Sequence, residues 1–343
     1  MSAGCEREMA PLKARDQREG GMRMRLAFVF PGQGAQFVGM GRELYAAHPT
    51  ARAVLDAAAA ASGVDIPQLC FEGPAERLNE TEITQPAILA VSAAALAVLV
   101  ERGVRPAAAA GLSLGEYGAL LAAEAAELPA LAHLVRLRGR YMQEAVPLGT
   151  GGMAVVLGLD RPAAERLCAA ALESMAAEAP PGGWVLSLAN LNCPGQIVIA
   201  GHLAVLRRAI ALGREFGARR LTLLPVSAPF HCALMRPAAE RLRPALDALP
   251  LRPARLPVVA NVHADVVTDP ADVRQALLRQ VDAPVLWEDC VRRLGALGCD
   301  TFVEVGPGRT LSGMIGRILP AARALAIGDV QTLESCLQEL GVA

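Results

Sequence analysis

The chain has 343 residues, 53% of them hydrophobic and 20% charged, with a formal net charge of −1. That is enough apolar material for a large core, and the near-neutral balance excludes a global field that would recruit nucleic acid or an anionic membrane. Eight cysteines are scattered without a Cys-x-x-Cys pair, which gives no zinc spacing and fits reduced thiols in a cytoplasmic protein.

Residues 1–22 mix charges without periodicity and read as a disordered leader, with Met22 or Met24 as an alternative start. Arg23 and Arg25 before LAFVF imitate a signal peptide, but the apolar run is too short and enters PGQGAQ directly. LAFVF (26–30) is therefore predicted as a buried strand and PGQGAQFVGMG as a glycine-rich loop. GRELYAAHPTARAVLDAAAAA reads as one helix. ITQPAILAVSAAALAVLVERG reads as a second, with Pro86 near its start. Its stretch 87–100 falls short of the ~20 residues a membrane span needs and is expected to be a buried helix. A short strand at 107–110, a turn around Ser113, a helix from 115 to about 126 and the helix LPALAHLVRLRGRYMQEAV follow.

The texture changes near residue 147. MAVVLGL, RPAAERLCAAALESMAA, WVLSLANL, QIVIAG, AVLRRAIALGREFG and RRLTLLPVS make a β-α-β-β-α-β unit, the ferredoxin-like pattern, set inside a larger α/β domain. Afterwards ALMRPAAERLRPALDAL reads as a helix, PVVANV as a strand, DVRQALLRQV as a helix, TFVEVG as a strand and RTLSGMIGRIL as a helix. Alternation of this kind predicts a mainly parallel sheet covered on both faces. The residues beyond Pro320 carry no clear signal and read as a tail.

Ser113 lies in Gly-x-Ser-x-Gly between a strand and a helix. A nucleophile elbow needs both glycines, because the turn packs strand against helix and strains the serine. The competing reading is a helix N-cap, a position serine favours. Of the five histidines, His48 and His133 fall inside predicted helices, His202 follows a strand, and His263 lies in one. His231 stands where a strand ends in a loop before a helix, the place where α/β folds assemble sites. It is either the base for Ser113 or a loop histidine capping the next helix. Cys232 beside it is a weak candidate for a Cys/His pair, since adjacent side chains rarely meet. No acid between Ser113 and His231 stands out as a third member, so the acceptor for the other ring nitrogen is an amide or a carbonyl.

Arg138 falls on the apolar stripe of its helix, four residues from Leu134 and four from Met142. An inward guanidinium needs an anion: either a buried Asp or Glu, or a substrate carboxylate held by its fork. PGQGAQ misses the dinucleotide spacing G-x-G-x-x-G and lacks a Gly-Lys-Ser/Thr. The backbone N–H of Gln33 is then available for an oxyanion.

FVFPGQGAQFVGMG, GLSLGEYGAL, RGRYMQEAV, GTGGMAVVLGL, NCPGQIVIAGH, PVSAPFHCALM and EVGPGRTLSGM occur in that order. From about Leu26 to Pro320 the chain thereby resembles the malonyl-CoA:acyl carrier protein transacylases and the acyltransferase domains of polyketide synthases. The resemblance implies an α/β-hydrolase-like subdomain at 23–147 and 225–320, a ferredoxin-like subdomain at 148–224 and a tail at 321–343. It implies ping-pong transfer of malonyl from coenzyme A to the phosphopantetheine thiol of an acyl carrier protein, by a cytoplasmic monomer needing no metal or tightly bound cofactor. Ser113 would be the nucleophile and His231 its base, with the N–H groups of Gln33 and Leu114 as oxyanion hole. Arg138 would hold the malonyl carboxylate, Gln280 would orient the histidine, and Phe230 matches the family's malonyl-type loop. Leu112 stands where the family usually has histidine, which bears on acyl selectivity and on resistance to hydrolysis. Two rival readings remain: a serine hydrolase that removes acyl groups from carrier proteins, and a catalytically silent scaffold.

Overall fold

The computed structural model describes residues 24–342; the leader assigned to residues 1–22 lies outside them. Among the described residues ten strands form two sheets. The larger contains β1 (Leu26–Phe30), β2 (Ala108–Gly111), β7 (Val258–Val259), β8 (Val266–Val267), β9 (Thr301–Val305) and β10 (Arg323–Ile327), in the order β10-β9-β1-β2-β7-β8. All its pairs are parallel except β7 with β8. In β1, Phe28 and Phe30 enter one apolar cluster, while Ala27 and Val29 enter another on the opposite face. A strand buried on both faces has no polar alternate positions, which is why LAFVF reads as an unbroken apolar run.

The first cluster is built by the helices Pro49–Ser62, Thr81–Glu101, Gly115–Ala122 and Leu128–Glu144. Thr81–Glu101 is long and apolar enough to cross a membrane, yet 89% of its most apolar window is buried inside the protein. The expectation of a core helix is borne out. The helices Trp287–Ala296 and Thr310–Ile318 cover the other face.

The smaller sheet contains β3 (Gly151–Leu157), β4 (Leu186–Cys193), β5 (Gln196–His202) and β6 (Arg220–Leu223), in the order β4-β5-β3-β6, all antiparallel. The helices Arg161–Ser174 and Leu203–Leu212 pack against it around a third cluster. This is the alternation expected of a ferredoxin-like unit. β4 is tied to the main body: Leu191 N–H donates to Val285 O, and Val285 N–H donates to Ala189 O, both at 2.9 Å.

Three expectations need correction. The helix drawn through His48 is two, Arg42–Ala47 and Pro49–Ser62, with His48 extended between them. The residue before a proline is pushed out of the helical region, and here it ends one helix and caps the next. Pro86 is not near a helix start but inside Thr81–Glu101, which begins earlier than its apolar run. The residues beyond Pro320 form β10 and the helix Val330–Glu339, whose Leu333 and Leu337 are buried. Its polar exposed face diluted the signal.

Candidate active site

Ser113 sits at the end of β2, before the helix Gly115–Ala122. A Cβ on Gly111 would stand 1.9 Å from the Gly115 carbonyl carbon, and one on Gly115 would stand 2.0 Å from Phe30 O. No side chain fits at either place, so strand and helix close to backbone contact only because both residues are glycine. Ser113 itself has φ 54°, a left-handed conformation that costs a non-glycine residue about 1–2 kcal/mol. Leu114, not Ser113, occupies the helix cap, and no side chain caps this helix. The serine hydroxyl is turned away from the helix and toward His231.

His231 also has positive φ, 61°, and is buried. Its Nε2 lies 2.7 Å from Ser113 Oγ, and its Nδ1 lies 2.8 Å from the backbone carbonyl of Gln280. A carbonyl only accepts, so Nδ1 carries the proton and Nε2 is free to accept from the serine. Burial, then the positive charge of Arg138, push the imidazole down to about 3, against the opposing bond to Gln280. The ring is therefore a neutral base. The histidine acceptor is a main-chain carbonyl, so Gln280 holds His231 through its backbone while its side chain does something else.

Arg138 is 1% exposed. Gly139 lets its helix approach Thr81–Glu101 closely: a Cβ there would lie 2.5 Å from Thr81 O. One guanidinium nitrogen donates to Gln85 Oε1 at 2.9 Å; the other donates to Gln280 Oε1 at 2.8 Å and Ser113 Oγ at 3.1 Å. Nε has no partner among the described residues. Burial depresses the guanidinium, with Tyr117 and Glu116 working the other way. Every acceptor bonded to this cation is a neutral oxygen, so the buried carboxylate partner considered above is not bonded to it.

Gln33, Ser113, Leu114, Arg138, Phe230 and His231 line one cleft of about 220 Å³. The small sheet closes it with Met153 and Asn190, so the site lies between the two sheets. A Cβ on Gly32 would be 2.5 Å from Leu112 O, which shows how closely the loop after β1 rests on the elbow. That sets Gln33, the next residue, in the cleft lining beside the turn. Among the described residues, neither Gln33 N–H nor Leu114 N–H makes a hydrogen bond within the chain. Two unengaged donors beside a serine hydroxyl have the makings of an oxyanion hole. Leu112 is half-buried and lines the same cleft. No group of His, Cys, Asp and Glu among the described residues could hold a metal ion.

Three contributors escaped the sequence reading. Gln85 is a polar residue in an otherwise apolar helix. Asn261 follows β7: its Oδ1 accepts from Ser113 N–H and its Nδ2 donates to Gly111 O, both at 2.7 Å. Glu116, 2% exposed, accepts from Asn261 N–H at 2.9 Å and Gln280 Nε2 at 2.8 Å. Burial raises its carboxyl to about 7, partly offset by those bonds and by Arg138. An acid in a first helical turn normally reads as a partner of the helix dipole. Only its burial distinguishes it.

The acyl transferase domain family matches residues 27–328. The malonyl CoA-acyl carrier protein transacylase of Bacillus subtilis strain 168 is 44% identical over 92% of this chain and 97% of its own length. Among solved structures, malonyl-CoA:acyl carrier protein transacylase from Xanthomonas oryzae pv. oryzae is 44% identical, with a TM-score of 0.87 over 93% of this chain and 99% of that one. A malonyl-transacylase solved in complex with its type II polyketide synthase acyl carrier protein is 39% identical, with a TM-score of 0.87 over 92% of this chain and 99% of that one.

Proposed function

The chain belongs to the acyl transferase domain family, and on that premise we propose that it is a malonyl-CoA:acyl carrier protein transacylase that works through a malonyl-serine. The observation that carries this reading is the joint placement of Ser113, a neutral His231 and a buried Arg138 whose acceptors are all neutral. The carrier-protein complex of a structural relative supports an acyl carrier protein as the second substrate.

As Ser113 Oγ attacks the thioester carbonyl, its proton passes to His231 Nε2. The developing oxyanion meets the N–H groups of Gln33 and Leu114; one such donor is worth about 3 kcal/mol in a preorganised site. Collapse breaks the C–S bond, and the imidazolium returns the proton to the leaving coenzyme A thiolate. In the second half the phosphopantetheine thiol gives its proton to His231 and attacks the malonyl-serine. The ester C–O bond breaks, and the proton returns to Ser113. The Gln280 carbonyl keeps the imidazole in one tautomer throughout, the part a carboxylate plays in other triads. Arg138 binds the malonyl carboxylate. An acetyl group has no anion to offer the buried cation, and a site built around a polar group rejects an analogue lacking its partner. Phe230 walls the same cleft, and the reaction is assigned to the cytoplasm.

Intact-mass spectrometry after brief exposure to malonyl-CoA or acetyl-CoA tests the reading. A malonyl adduct is expected on the natural chain and none on Ser113→Ala. Arg138→Ala should lose roughly 100-fold of its malonyl loading, the scale for truncating one partner of a buried charge pair. Coenzyme A released without an adduct would replace the transacylase by the hydrolase. Neither adduct nor release would leave the silent scaffold.

A further inference from the structure

Gln280 bonds to three members of the site, His231, Arg138 and Ser113. Its main-chain carbonyl holds His231, its side-chain Oε1 accepts from Arg138 at 2.8 Å, and its Nε2 donates to Ser113 O at 3.0 Å. An amide is nearly symmetric in shape, so its orientation is chosen by its partners. If it turned over, its NH2 would face the guanidinium, donor against donor. Nε2 also donates to Glu116 Oε2 at 2.8 Å, and the same oxygen accepts from Asn261 N–H. Asn261 in turn holds both ends of the elbow, at Gly111 O and Ser113 N–H. Glu116 is thus a buried carboxylate bonded to both amide residues, Gln280 and Asn261, and lying outside the cleft lining.

We infer that Glu116 is a positioning residue for malonyl recognition: through the side chain of Gln280 it holds the Arg138 guanidinium where a substrate carboxylate meets it. The inference deepens the transacylase reading and rests on it. The path to His231 runs through the main chain of Gln280, set by the helix Pro270–Gln280, and not through the amide that Glu116 orients. That amide also donates to Ser113 O, but the side chain of Asn261 still holds the Ser113 N–H when it turns, so the effect of Glu116 falls on malonyl binding more than on acyl transfer.

The test measures Ser113 acylation by malonyl-CoA and by acetyl-CoA in rapid-quench experiments. Glu116→Met removes the acceptor at similar length. It is expected to lower the malonyl-over-acetyl ratio about tenfold, carried by KM for malonyl-CoA, the scale of one lost hydrogen bond to a charged group. Glu116→Gln keeps an oxygen and should recover most of that loss, to within about threefold of the natural chain. In a Gln280→Met background, adding Glu116→Met should change the ratio by less than about twofold, because coupled partners are not additive. An equal fall in kcat for both donors, or effects of the two substitutions that simply multiply, would overturn the inference. If Glu116→Met does not fold, Glu116→Ala takes its place, and a malonyl-over-acetyl ratio there equal to that of the natural chain would overturn it. Absence of any malonyl adduct on the natural chain would instead sink the transacylase reading itself.

Discussion

Ser113 and His231 are both held at positive φ, and their hydrogen bond of 2.7 Å depends on it. Strain of about 1–3 kcal/mol at such residues persists only where the surroundings over-determine it. Here Asn261 and Gln280 do so from below. The burial of His231 has a kinetic consequence. With its imidazole at about 3, the base stays neutral as pH falls through the ordinary value of 6.5. The rate of Ser113 acylation at saturating malonyl-CoA should therefore lack an acid limb at 6.5 and decline only toward the lower value. A quench-flow pH series checks this, and a limb at 6.5 would show that the imidazole is not held neutral. The stability signs follow. Between 6.5 and about 3 the unfolded chain binds a proton that folded His231 refuses, so this group destabilises the fold as pH drops. Glu116, raised from 4.5 to about 7, acts oppositely between those values: folded Glu116 protonates first, and the fold gains as pH drops.

At the scale of elements, the site depends on backbone contacts that only glycine permits. Gly111 and Gly115 close the elbow, and Gly139 seats the arginine-bearing helix on Thr81–Glu101 beside Gln85. Gly115→Ala would drive a Cβ into Phe30 O, a clash with backbone that cannot rotate away. It is expected to cost about 3 kcal/mol, the upper end for overpacking, and to be seen as a lower Tm in calorimetry together with lost Ser113 acylation. A variant with natural Tm and activity would mean that the elbow can open. The elbow was legible because its glycine spacing has a steric reason, and Arg138 because it breaks an apolar stripe. The break at His48 was written locally in Pro49 but masked by the helical composition on either side, and the same continuity hid the interior position of Pro86. Asn261 and Glu116 were invisible because their partners lie 148 and 164 residues away in the chain.

For the whole molecule, the cleft exists because the small sheet leans over the carboxyl end of the large one, joined through β4 and Val285. The residues beyond Pro320 belong to that frame. β10 pairs with β9 along Arg323–Ile327, and Leu333, Cys336 and Leu337 bury behind it. A chain ending at Pro320 would expose the β9 edge and the apolar face beneath the last helix. Unpaired edges of this kind template aggregation. Such a truncation should be recovered mainly as insoluble protein, judged by the soluble fraction on expression and by size-exclusion chromatography. A soluble, acylation-competent truncation would show that the sheet is complete at β9.

Local pattern alone determined the α/β class, the inserted antiparallel unit, the turn that carries Ser113, the candidacy of His231 and the inward placement of Arg138. Those signals come from periodicity, glycine spacing and a charge out of place, all written within one element. Tertiary structure decided that Ser113 turns toward His231 and not toward its own helix. It made the main chain of Gln280 the histidine acceptor, and it left Arg138 bonded only to neutral oxygens. Each of those depends on atoms brought together from distant segments, where burial, and not residue type, sets which proton a group keeps and which partner it can find.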